Sequence, residues 1–216
     1  MNTTQSIVSR AKAALGLQTN NTESTKKSKP VNRPTASHLR ELATAARAFC
    51  AQREAAETSL TKQLQVRDFR LDRTAIERHR DTVAAIDLAK TLEPVLRREL
   101  VTAVEKSRNA TGAAESEIAT RRRQVDATLR DYILKRLPPE AGTAIDITRS
   151  PLWEREDAER RKLSDSPQRW ITNDRPIPEF TEVLEAIADH LDECSRELAR
   201  LDGVLSHYAS PSEKAA

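Results

Sequence analysis

Residues 180–208, FTEVLEAIADHLDECSRELARLDGVLSHY, constrain most strongly what this chain can fold into. Steps of four and three residues meet Phe180, Leu184, Ile187, Leu191, Cys194, Leu198, Leu201, Leu205 and Tyr208 in turn. That spacing is the seam of a helix burying one stripe against other helices. Glu182, Glu185, Asp189, Asp192, Glu193, Arg196 and Arg200 fall opposite and read as a solvated face. Val183, Ala188 and Val204 widen the stripe, which favours a multi-helix bundle over a two-stranded coil. The expected partner of this helix is residues 39–64 or 76–104.

Composition agrees with an all-α reading. Charged residues make up 32% of the 216, aromatics 3%, and there are four glycines. An Ala-, Arg-, Glu- and Leu-rich chain with so few glycines favours helix. It also lacks the glycine turns around which most small-molecule pockets are built. The expected architecture is an elongated bundle of three or four helices with coiled-coil-like packing. A flexible basic arm precedes it at 1–34, the bundle covers 35–208, and a tail follows at 209–216.

The arm carries six Lys and Arg against one Glu. Ile7, Val8 and Leu15 lie on one side of a short amphipathic segment. Lys26, Lys27, Lys29 and Arg33 then follow in a Thr-, Asn- and Ser-rich stretch that has little to bury. Such an arm suits docking on a neighbouring protein or an acidic surface. It is also the clearest candidate for nucleic-acid contact, because its basic charge is uncompensated. Arg121, Arg122 and Arg123 are a poorer candidate, since consecutive helical residues point about 100° apart.

Further along, Ser37 is expected to cap a first helix after Pro34. That helix runs through Leu39, Leu42, Ala46, Phe49, Ala56 and Leu60, with Arg53 out of place. Arg53, Arg67 and Arg73 stand where apolar residues belong, so this end is expected to face water, an acidic partner or a second copy. Thr74 and Glu77 have capping-box spacing. Pro94 is expected to kink or restart the next helix, and the Asn-Ala-Thr-Gly stretch at 109–112 to end it. A further helix spans Ile118, Val125, Leu129, Tyr132 and Ile133.

Residues 138–178 differ in kind, holding six of the ten prolines and both tryptophans. Residues 153–163 read as two helical turns, and 144–148 as a short extended piece. Trp153 and Trp170 either pack this connection on the bundle flank or anchor a partner.

No catalytic pattern emerges. None of His38, His79, His190 and His207 has a Glu three residues before it, the spacing of a di-iron bundle. There is no paired Cys-x-x-Cys, no zincin helix motif and no Gly-x-Ser-x-Gly elbow. His190 and Cys194 lie four apart and would share a metal ion only with help from Cys50 and another His. Cys50 and Cys194 are expected to be buried free thiols. The expectations are therefore no catalytic residues, no cofactor, no metal and no small-molecule substrate. No signal peptide or membrane span is read, which points to a cytoplasmic location. The function expected is a structural or assembly role through protein–protein contact or self-association, as in a scaffold, adaptor, or virion, secretion or filament component. The alternative is a nucleic-acid-associated protein using residues 1–34.

Overall fold

The computed structural model describes residues 34–65, 73–137, 146–167 and 175–209. Among them the secondary structure is helical, with no strand. Helix α1 spans Ala36–Gln65, α2 Arg73–Leu134, α3 Pro151–Arg160 and α4 Ile177–Ala209, with a 3-10 turn at Ile147–Arg149 before α3. The all-α, bundle-like reading holds. Residues 1–33 of the arm, Arg67, Trp170 and residues 210–216 lie outside the described residues.

Thr35, not Ser37, opens α1. The His38 amide donates to Thr35 Oγ1 at 3.3 Å, while Ser37 sits inside the first turn with its hydroxyl toward Glu41. Either hydroxyl suits a cap, and the choice fell on the residue whose backbone leaves the helix.

Neither the restart offered for Pro94 nor the end expected at 109–112 interrupts α2. Pro94 lies inside the helix at an exposed position, and the helix continues through 109–112. Ala110 and Thr111 are buried there, and the Thr111 hydroxyl donates to the Arg108 carbonyl at 2.9 Å. Burial of this turn outweighs the weak helix preference of an Asn-Ala-Thr-Gly stretch, because propensity is only a prior.

The chain divides into two compact units. Of the described residues, 34–65, 73–107 and 175–186 belong to one, and 108–137, 146–167 and 187–209 to the other. In the first unit, α1 and the leading part of α2 run antiparallel. Gln63 bonds Thr82 at 3.2 Å and His79 at 3.1 Å, and ten residues back along α1 Arg53 reaches Glu93, eleven residues forward along α2. Its buried apolar residues are Leu39, Leu42, Ala43, Ala46 and Phe49 of α1, Ile86 to Val104 at helical spacing on α2, and Ile177, Phe180, Val183 and Leu184 of α4.

In the second unit, α2 and α4 run parallel. Glu115 meets His190, Arg122 meets Glu197 and Tyr132 meets Tyr208, so both helices advance together. The expected partner of α4 holds for 177–186, which share the first unit with α1 and the leading part of α2 and pair Glu185 with Arg47, and is corrected for 187–208, which pack on 108–134. Ile118, Val125, Leu129, Cys194 and Leu201 form the core, flanked by Leu163, Leu198, Leu205 and Tyr208. Parallel neighbours cannot be joined by a tight turn, so the chain must first travel back along the pair. That is the physical reason for the long connection. On this return, α3 runs antiparallel to α4, with Glu156 against Arg200 and Ser164 against Glu193.

Candidate functional site: a bare hairpin and a charged groove

Two places stand out, one in each unit. In the first, no residue among 50–65 or 73–85 is buried, although both stretches are helical. The pair is joined by polar side chains: Gln63, Thr82 and His79 at one level, Arg53 with Glu93 at another. Meanwhile Leu64 is 69% exposed, Ile76 47% and Val83 36%. A helix pair joined by these polar contacts, with Ala56, Leu60 and Ala75 only half-buried and larger aliphatic side chains outside, is incomplete as a core. Scattered exposed leucines need no explanation, but a segment without any buried residue has little to hold it unless something covers it.

Arg53 and Arg73 face water, one of the expected alternatives for this end, and both are paired. Arg53 pairs with Glu57 at 2.8 Å and with Glu93, and Arg73 pairs with Glu77 at 3.2 Å. The hydrogen bond to Glu57 and the nearby Glu93 charge raise the Arg53 pKa, so it remains a cation. Cys50, beside it, is half-buried and free, and burial pushes its thiol up.

The second place is an open groove of about 970 Å³ in the other unit. One wall is α2 with Glu115, Ile118 and Arg122; the other is the end of α3 and the segment after it, with Arg160, Leu163 and Ser164; His190 of α4 lies in its lining. Behind it lies a network of six alternating charges. Arg200 donates to Glu156 at 2.7 and 2.8 Å and to Glu197 at 2.8 and 3.1 Å. Arg122 bonds Glu197 at 3.0 Å and the Arg160 carbonyl at 3.2 Å, and Arg160 pairs with Asp126 and with Glu156 at 3.4 Å. Three guanidinium groups face three carboxylates, so the charges balance. Hydrogen bonds donated to Glu156 and Glu197 raise the Arg200 pKa further, which fixes its charge.

This network decides the arginine triplet. Arg122 is spent on Glu197 and Arg121 on Asp202 at 3.2 Å, leaving Arg123 exposed on the groove rim. They do not make a basic stripe. Sequence reasoning did not single out Glu156 and Glu197, which are buried at 6% and 8% exposure. Arg200, assigned to the solvated face, is half-buried in the same network.

Glu115, His190 and Cys194 meet in this unit. His190 Nε2 lies 3.0 Å from Glu115 Oε1 and 3.5 Å from Cys194 Sγ. A base that activates a thiol uses one ring nitrogen for the thiol and the other for an orienting carboxylate. Here both contacts fall on Nε2. Nδ1 is buried without a hydrogen-bond partner among the described residues, as is Glu193 Oε2. Burial first, then the charges of Glu115 and Glu193, push the Cys194 thiol up, which keeps it protonated. Among the described residues no three His, Cys, Asp or Glu side chains are placed to hold a metal ion. Glu115 lies three residues before buried Ile118, and that position on the apolar stripe was the sequence signal for its inward role.

The seam residues fall into two groups. Phe180, Leu184, Ile187 and Leu201 are buried, whereas Leu191, Leu198 and Leu205 are half-buried. Cys194 is buried and free. Trp153 is half-buried near the start of α3, where its amide donates to the Ser150 cap at 3.3 Å. The extended piece expected at 144–148 is corrected in its second half: Ile147–Arg149 is a 3-10 turn capped by Asp146. Ile7, Val8, Leu15, Lys26, Lys27, Lys29, Arg33 and Trp170 lie outside the described residues.

No protein-family model matches the chain, and neither a curated protein nor a solved structure does. Among the described residues no helix is long and apolar enough to cross a membrane.

Proposed function

We propose that this chain is a non-catalytic helical scaffold that works through protein–protein contact, as a structural component of a larger assembly. The observation carrying the reading is the α1–α2 hairpin at 50–65 and 73–85, with its bare Leu64, Ile76 and Val83 and no buried residue. Covering one such side chain contributes about 1.5–3 kcal/mol. A second copy presenting the same hairpin would bury six of these side chains across a two-fold axis, the commonest way for such a face to be completed.

Sedimentation equilibrium of the full chain, with and without the combined substitutions Leu64→Lys, Ile76→Lys and Val83→Lys, tests this. The expected result is an oligomer that dissociates on substitution without loss of helicity. A monomer at all concentrations for both chains overturns the self-association reading. The uncompensated charge of residues 1–34 supports a second reading, a nucleic-acid accessory role. Retention on nucleic acid that falls steeply with salt and vanishes on removal of residues 1–34 would favour it.

A further inference from the structure

Helix α3 is fastened to its unit in an unusual manner. Its sequence, PLWEREDAER, contains two large apolar residues, Leu152 and Trp153, both only half-buried. Its one buried residue is a carboxylate, Glu156. The ties to the neighbouring helices are Glu156 to Arg200 on α4, Arg160 to Asp126 on α2, and Arg122 to the Arg160 carbonyl. Just beyond α3, Leu163 packs on the core and Ser164 donates to Glu193 at 3.3 Å. Buried ion pairs give a specific docking geometry but a small net gain, because desolvation offsets much of the Coulombic attraction.

What this segment adjoins carries its own cost. His190 Nδ1 and Glu193 Oε2 are buried orphans among the described residues. An unsatisfied buried polar group opposes the closed arrangement, and admitting water removes that penalty. The apolar contact between α2 and α4 does not depend on α3, since Val125, Leu129 and Leu201 come from those two helices.

We propose that residues 150–166 form a strap that opens as a unit from the second unit, latched by Glu156–Arg200 and Arg160–Asp126, while α2 and α4 stay paired. Opening removes Leu163 from the core cluster and brings water to Ile118, His190 and Cys194. The strap thus converts a charged groove in which Ile118 and His190 are buried into an accessible apolar and imidazole-bearing face. Its opening is a sub-global event, lower in free energy than unfolding of the unit.

Cys194 is the natural reporter, being 1% exposed when the strap is closed. In full-length protein carrying Cys50→Ser, alkylation of Cys194 by a maleimide is followed against urea. Strap opening exposes little surface, so the labelling rate is expected to be nearly flat at low urea and to join the steep unfolding line only near the transition. Glu156→Gln should raise the low-urea rate about tenfold with helicity retained and the flat region preserved. Should Glu156→Gln fail to fold, Asp126→Asn, which cuts the more exposed latch, is expected to raise the rate several-fold. Labelling that follows the global unfolding slope at every urea concentration overturns the strap. So does a folded latch variant whose low-urea rate equals that of the parent.

Discussion

Arg200 of α4 donates to both carboxylate oxygens of Glu156 on α3, at 2.7 and 2.8 Å, and the receiving side chain is 7% exposed. The same guanidinium also serves Glu197. Removing it leaves two buried carboxylates short of a partner, which is costlier than replacing a whole pair with apolar groups. Arg200→Met is expected to destabilise the second unit by about 3 kcal/mol, with the loss capped by the free energy of strap opening. Adding Glu156→Leu should recover part of the loss, and urea unfolding of both variants measures it.

Glu197 gives the network a pH signature. Burial works to raise its pKa, but hydrogen bonds from Arg200 and Arg122 outweigh burial and hold the carboxyl below its ordinary value. A depressed folded pKa contributes stability that is present above the unfolded value of about 4.3 and lost as pH falls through the folded one. Urea midpoints should therefore fall on acidification below about pH 5. The fall should be shallower in Glu197→Gln, which is less stable at neutral pH. Parallel pH profiles for the two proteins would refute this.

Burial separates the seam leucines by consequence. Leu184 and Leu201 are fully buried, so truncation to Ala should cost about 2–5 kcal/mol in their respective units. Leu191 and Leu198 are half-buried, and the same change should cost about 1–2 kcal/mol. Denaturant midpoints of the four variants, ranked against one another, check the order.

Gly112 lies inside α2 with nothing within 4 Å of the position a methyl group would occupy, and Gly203 inside α4 is equally open. Neither adopts a left-handed backbone, so each only lowers helix stability. Gly112→Ala and Gly203→Ala should each stabilise by about 0.5–1 kcal/mol, additively, as read by thermal unfolding.

The bare hairpin should be the least protected helical part of the first unit. Amides in 50–65 and 73–85 are expected to exchange with solvent well before those of 86–104, where Ile86, Leu96 and Leu100 are buried. Hydrogen exchange read by mass spectrometry resolves these stretches. Equal protection at concentrations where the chain is monomeric would show that the hairpin holds itself together.

The sequence by itself determined the helices and their inward faces, because burial against a neighbour imposes a 3.6-residue rhythm that a single strand of text records. Phe180, Leu184 and Leu201 were legible for that reason, as were the turns of α3 from Trp153 onward. Only the tertiary structure decided where helices stop and which charges are spent. Pro94 looked like a kink or restart and Gly112 like an end, yet α2 runs through both, since packing along its length outweighs a local cost of a few kcal/mol. Arg200 looked like a solvated charge, and Glu156 and Glu197 drew no notice, because charge alone does not reveal a partner far away in the chain. Their pairing follows from α4 running parallel to α2 with α3 on the return path, and the direction of a neighbouring helix leaves no periodic trace in the residues that form it.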